Sequence, residues 1–135
     1  MKLNLQLPDP IQTETKESAQ VVEDTLLELK SIIEERYNAL IQVEIVTSSQ
    51  TNLEDVMVLY YAVYLVFAAK NNFSYRLLEV TCTNPDGGLP VAVSAFVGPS
   101  KSFGTAHTKE ALNRVIEEVF REERTQRILS NYRPL

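Results

Sequence analysis

Residues 56–69 read VMVLYYAVYLVFAA and contain no charged side chain and no side-chain amide. The hydroxyls of three tyrosines are the only strong hydrogen-bonding groups among these side chains. The run is dense in Val, Tyr, Leu and Phe and shows no 3.6-residue repeat, which favours a β-strand that is apolar on both faces. The alternative is a buried helix, because Asn52 could cap a helix there and Lys70 suits its last turn. We interpret the run as a strand.

A long helix is predicted ahead of this strand. Its apolar residues recur at the spacing of one helical face, at Val22, Leu26, Leu29, Ile33 and Leu40. The acidic residues of the same segment lie mostly off that face. Two start positions fit the pattern, one at Asp9, which can cap a helix, and one nearer Thr13.

Three further strands and a second helix complete the pattern. Residues 41–45 alternate apolar and polar side chains, as a half-buried strand does. The turn sequence Asn-Pro-Asp-Gly at 84–87 predicts a hairpin that joins strands 74–83 and 89–97. Pro90 lacks an amide donor, which predicts that the later strand lies at a sheet edge. A second helix is expected from Thr105 or Thr108 to about residue 130.

Together these elements predict a single α+β domain over residues 1–135. It consists of a long N-terminal helix, a four-stranded antiparallel meander and a C-terminal helix, with the helices packed on one face of the sheet. Strand alternation gives that face a conventional apolar core, with the following members: Ile41, Val43, Ile45, Leu59, Tyr61, Val63, Leu65, Phe67, Leu78, Val80, Cys82, Val91, Val93 and Ala95.

The opposite face of the predicted sheet mixes tyrosines with a few carboxylates. Such a surface is typical of the centre of a protein interface. We therefore predict partner contacts by Tyr60, Tyr64, Tyr75, Glu79 and Phe96. A homodimer is the simplest way to cover this face, and a different protein is the alternative. A third interpretation is that the N-terminal segment, the 98–105 loop or sheet curvature covers it within the chain.

The predicted loop 98–105 offers an alternative site, because it precedes a helix N-terminus. The residues that could hold a phosphate or carboxylate there are Ser100, Lys101, Ser102, Gly104 and Thr105. The sequence departs from a nucleotide-binding P-loop, since its lysine precedes the second glycine. A polar connecting loop with a helix cap explains the same residues.

Residue counts disfavour most catalytic chemistry. With one His and one Cys, the chain lacks a usual zinc ligand set, and we predict no metal, cofactor or catalytic residue. A Cys82–His107 dyad is disfavoured because Cys82 shares its strand face with core residues. Glu44 and Glu79 share the opposite face, where paired carboxylates could act as acid and base.

Charge and composition restrict the partners. Residues 1–55 hold four Lys and Arg against eleven Asp and Glu, which disfavours nucleic acid as a partner. The N-terminus lacks a secretory pattern and 56–69 is too short to span a bilayer, so we expect a cytoplasmic protein that does not bind membranes.

The function expected from these features is that of a small, acidic, non-catalytic protein-interaction module of the adaptor, specialised chaperone or immunity type. It would be homodimeric through the tyrosine-rich face. The alternative is a small-ligand or anion-binding domain, which could be an enzyme and would use the 98–105 loop.

Overall fold

The structure is a computed structural model, and it describes residues 5–8, 15–51, 53–82, 88–96 and 100–132. The helices are α1 (Thr15–Arg36), α2 (Lys109–Arg121) and α3 (Glu123–Leu129), and the strands are β1 (Ile41–Thr51), β2 (Met57–Phe67), β3 (Phe73–Cys82), β4 (Val91–Phe96) and β5 (Ser100–Ala106). Short 3-10 turns follow β2 and α3. The fold is therefore α+β. None of the described helices combines the length and apolar character needed to cross a bilayer.

The strands form an antiparallel sheet in the order β1-β2-β3-β4-β5. β2 covers Met57–Phe67, so the strand interpretation of residues 56–69 is confirmed. It pairs with β1 on one side and β3 on the other, so it is an internal strand of the sheet. The turn predicted at 84–87 lies outside the described residues.

The sheet has a fifth strand that the sequence pattern does not predict. Residues Ser100–Ala106 form β5, so the prediction of a loop over 98–105 is wrong for this part. β5 pairs along β4, which is therefore an internal strand rather than an edge. Pro90 precedes β4, so the ladder does not require the amide hydrogen that Pro90 lacks.

The hydrophobic core joins the helices to alternate residues of the strands. α1 contributes Val22, Leu26, Leu29 and Ile33, whereas α2 and α3 contribute Leu112, Ile116, Val119 and Leu129. The strand side contains the members of the predicted core face, with Ile45 and Leu59 only partly buried. The period-2 pattern thus predicts the buried side of the sheet correctly.

The C-terminal helical segment is divided at Glu122. Thr108 caps α2, because its hydroxyl accepts a hydrogen bond from the amide of Ala111 at 3.1 Å. The single helix expected up to about residue 130 is wrong, since Glu122 has extended backbone angles between α2 and α3. No glycine or proline marks this break.

Candidate functional site: the second face of the sheet

The side of the sheet opposite the core residues is called here the second face. Its members alternate with the core residues in every strand: Gln42, Glu44, Val46 and Ser48 in β1; Val58, Tyr60, Ala62, Tyr64 and Val66 in β2; Ser74, Arg76, Glu79 and Thr81 in β3; Ala92, Ser94 and Phe96 in β4; and Ser100, Ser102 and Thr105 in β5. Tyr60, Tyr64 and Phe96 are half-buried, and Val46 is 42% exposed. These residues form a continuous surface across all the strands, in which apolar and hydroxyl groups surround the charges of Glu44, Arg76 and Glu79.

A β-bulge in β3 changes which residues reach this face. Val63 pairs with Leu78 but Tyr64 pairs with Arg76, so Leu77 is an extra residue in the ladder. Leu77 is 1% exposed and belongs to the core. A bulge of this kind reverses the alternation of every residue that lies beyond it in the strand.

Tyr75 therefore does not lie on the second face, so the position that the sequence pattern assigns to it is wrong. It pairs with Leu65, a core residue, and its own ring packs against the core. Its hydroxyl donates a hydrogen bond to the carbonyl of Phe96. The guanidinium carbon of Arg124, in α3, lies 5.9 Å from the centre of the Tyr75 ring.

Arg76 occupies the position on the second face that the sequence pattern assigns to Tyr75. Its guanidinium carbon lies 4.7 Å from the centre of the Phe96 ring, a cation–π contact. The same side chain forms an ion pair with Glu79. Its Nε atom is buried and has no hydrogen-bond partner among the described residues. Arg76, Glu79 and Phe96 thus form one cluster, in which the Nε–H group of Arg76 has no acceptor among the described residues.

Glu44 and Glu79 do not form a carboxylate pair. Glu44, in β1, pairs with Tyr64 of β2, and Glu79, in β3, pairs with Ala62 of β2. The strand β2 therefore lies between the two carboxylates. Two strand spacings separate the backbones by about 10 Å. Because Glu79 is also paired with Arg76, the arrangement gives no support to acid–base chemistry on this face.

The residues of the alternative anion site are divided between the two faces of β5. Ser100 and Ser102 pair with Phe96 and Ser94, which places them on the second face, whereas Lys101 pairs with Ala95 on the other. The ammonium group of Lys101 bonds to the carboxylate of Glu122 at 2.8 Å and lies 5.0 Å from the Phe103 ring centre. These side chains therefore do not converge on one point.

Gly104 and Thr105 complete the alternative site, and they have structural roles here. Phe103 is an extra residue in the β4–β5 ladder, and Gly104 has a φ of +100°, which a residue with a side chain rarely adopts. Thr105 pairs with Ala92 and is exposed. Helix α2 begins only at Lys109, so the anion-site residues do not surround its N-terminus.

Cys82 and His107 differ sharply in environment. Cys82 is fully buried, and its burial raises the pKa of the thiol to about 11. His107 is exposed between β5 and α2. A buried thiol with a raised pKa is a poor nucleophile. Within the part of the chain that the structure describes, no group of His, Cys, Asp and Glu is arranged to hold a metal ion.

A groove between α1 and α2 is one of several concave features among the described residues. Its volume is about 300 Å³, and it is lined mainly by apolar side chains, including Leu29, Ile32, Ile116 and Phe120. The hydroxyl of Thr25, also in its wall, donates to the carbonyl of Val21 at 2.7 Å.

Comparison of the chain with protein-family models, curated proteins and solved structures gives no match. No relative therefore assigns a role to any of the residues described above. The physical character of the second face is the basis on which a function can be assigned.

Proposed function

We propose that the protein is a non-catalytic interaction module that binds another protein surface, in the first instance a second copy of itself, through the second face. The observation that carries this proposal is the half-buried row of Tyr60, Tyr64 and Phe96 opposite the core. The buried residues of α1 and α2 all join the core side of the strands, so we infer that the helices cover that side only.

The second face is large enough for a stable interface. Five strands about 4.8 Å apart span about 24 Å, and the eleven residues of β2 run for about 36 Å. Since the outer strands are shorter, the face covers on the order of 700 Å². A standard interface buries about 800 Å² on each partner, so face-to-face packing of two sheets reaches this size.

The charges of the second face are self-complementary. Glu44, Tyr64 and Arg76 lie side by side on β1, β2 and β3. A two-fold axis parallel to the strands and above Tyr64 brings the two Tyr64 rings together and places each Arg76 opposite Glu44 of the second copy. Because packed sheets are about 10 Å apart, these long side chains can meet between them. A second copy thus brings the Glu44 carboxylate close to the exposed part of the Arg76 guanidinium.

Substitution of Tyr64 tests the proposal directly. Tyr64→Glu places a charge at the centre of the interface and is expected to lower the apparent mass in sedimentation equilibrium, while circular dichroism remains that of a folded chain. Leu53→Glu is the matched control, because Leu53 is fully exposed and lies outside the sheet. If both variants keep the mass of the unsubstituted protein, the second face does not join two copies.

A charge exchange tests the partner and its orientation. Glu44→Arg sets two arginines opposite each other in the proposed dimer and should weaken it, whereas Glu44→Arg combined with Arg76→Glu should restore it. Loss of association without rescue in the double variant contradicts the Glu44–Arg76 arrangement. Binding of a different protein instead predicts that all these variants have the same mass as the unsubstituted chain.

A further inference from the structure

The free edge of β1 has two halves that differ in their backbone hydrogen bonds. In an antiparallel ladder, alternate residues direct both their N–H and C=O groups away from the neighbouring strand. Val43 is one of these residues in β1. Its amide donates to Glu34 Oε2 at 3.0 Å and its carbonyl accepts from Lys30 Nζ at 2.7 Å. Side chains of α1 therefore close the edge at this point.

The second half of the same edge has no strand or side-chain partner among the described residues. By the same alternation, Ile45, Thr47, Ser49 and Thr51 direct their backbone groups outward. No hydrogen bond from these outward groups to another described residue is present. The segment reads IVTSSQT, without charge, proline or glycine, and pairs with β2 in unbroken register. It is a regular, uncharged template for another strand.

The opposite edge of the sheet shows how this chain protects an edge. β5 is seven residues long, carries the charge of Lys101 and is interrupted by the bulge at Phe103 and Gly104. An edge lysine and a bulge are recognised means of preventing strand addition. Residues 45–51 form a segment of the same length as β5 but contain neither, so this edge is regular and uncharged.

We propose that residues 45–51 pair antiparallel with the same residues of a second copy, so that the sheet continues from one chain into the next. The register that uses every outward group places Ser48 opposite Ser48 of the second copy, Thr47 opposite Ser49 and Ile45 opposite Thr51. About eight backbone hydrogen bonds then form across the junction. The register stops short of Val43, where the edge is closed.

A second copy is the occupant that these features specify. The edge needs a partner strand that is regular, bare along its whole length and free of charge, and the same segment of another chain has all three properties. Antiparallel self-pairing sets hydroxyl side chains opposite one another and opposes no like charges. A two-fold axis closes the pairing after one junction, so it does not propagate into a fibre.

This junction is independent of the proposed function. Its axis is perpendicular to the sheet, whereas the axis through the second face is parallel to the strands. The two axes pass through different strands and do not intersect, so both contacts together give an open assembly of alternating contacts, whereas either contact alone gives a closed dimer. Each contact can then be removed while the other is retained, which distinguishes failure of one from failure of the other.

Thr47→Pro tests the edge, because it removes an outward amide that the β1–β2 ladder does not use. Sedimentation equilibrium should show a dimer for Thr47→Pro, smaller than the unsubstituted assembly, and a monomer when Tyr64→Glu is added. Thr47→Ala, which keeps the amide, should retain the full mass. If Thr47→Pro also retains it, or if the unsubstituted protein is monomeric, the edge pairing is overturned whatever Tyr64→Glu does.

Cross-linking tests the register without relying on a proline. Ser48→Cys should form an intermolecular disulfide under mild oxidation, since directly opposed residues of an antiparallel pair meet the geometry of the bond. Ser49→Cys is equally exposed but should not cross-link, because it lies diagonal to its own copy. Cross-linking of Ser49→Cys in preference to Ser48→Cys, or of neither, contradicts the proposed pairing. The buried thiol of Cys82 does not interfere.

Discussion

Glu34 Oε2 accepts a hydrogen bond from the backbone amide of Val43, 3.0 Å away, and also lies 2.8 Å from the ammonium group of Lys30. Lys30 in turn donates to the carbonyl of Val43. The side chains of Lys30 and Glu34 therefore make, at Val43, the two backbone hydrogen bonds that a neighbouring strand would make at this edge of the sheet. Hydrogen bonds from Lys30 and from the Val43 amide hold the pKa of Glu34 below its usual value of 4.5.

Acid should remove the stabilisation that Glu34 provides. The pKa of Glu34 is lower in the folded than in the unfolded chain. The stabilisation is therefore complete at pH values above the pKa of the unfolded chain, and it is lost as the pH falls through the pKa of the folded chain. The unsubstituted protein should thus lose more stability than Glu34→Gln when urea unfolding is measured from pH 7 down to pH 3. We expect a difference of no more than about 1 kcal/mol for this solvent-accessible pair. Glu35→Gln, an exposed neighbour, should behave as the unsubstituted chain does.

Alkali should destabilise the fold through Tyr61. Its side chain is 4% exposed, and burial, with the nearby charge of Glu23, raises its pKa to about 12 from 10.0. The folded chain holds this proton more tightly than the unfolded chain, so stability should fall between pH 10 and pH 12. Tyr61→Phe should show a smaller decline over that window. An equal decline in both proteins, measured by urea unfolding, would assign the effect to other groups.

Substitution by glutamate should lower the stability of the chain at Tyr75 but change the assembly state at Tyr64. Tyr75→Glu puts a carboxylate against the core, and we expect a loss of roughly 1–3 kcal/mol in the free energy of unfolding. Tyr64→Glu faces solvent in the separated chain and should change mass more than chain stability. Urea unfolding at a protein concentration where both variants are monomeric makes the comparison. Equal losses in the two variants would contradict the position of the bulge.

Cys82 should react with thiol reagents only when the chain opens. Its thiol is fully buried and has a pKa of about 11, so little thiolate is available at pH 8. Modification by a chromogenic disulfide should be slow in buffer and should accelerate across the urea transition. Fast modification in buffer, at the rate of the denatured chain, would show that β3 opens locally.

Much of the fold is predictable because its strands obey simple alternation. The apolar run at 56–69 indicates a strand that is apolar on both faces, and the cap at Thr108 marks the start of α2. The core face follows from counting by twos along β1, β2 and β4. In these segments local preference and tertiary packing favour the same structure.

The errors occur where a strand departs from regular alternation. Leu77 is as apolar as its neighbours, so no residue type signals the bulge that takes Tyr75 to the core and Arg76 to the second face. β5 is mostly exposed and bulged at Phe103, which leaves no period-2 hydrophobic pattern to detect. A periodic hydrophobic pattern is strong only in a helix or strand that buries one of its faces. The edge strand β5 buries little of either face, so its sequence lacks this pattern.

The extra residue in β3 also makes the composition of this surface depend on strand register. If Leu77 paired with Tyr64 and the bulge were lost, Arg76 would move opposite Leu65 and Tyr75 opposite Val66, so that the guanidinium would turn inward and the ring outward. One corner would then exchange a positive charge for an aromatic ring without any substitution. The pairing register of β3, as much as side-chain identity, thus determines which groups the sheet offers to a partner.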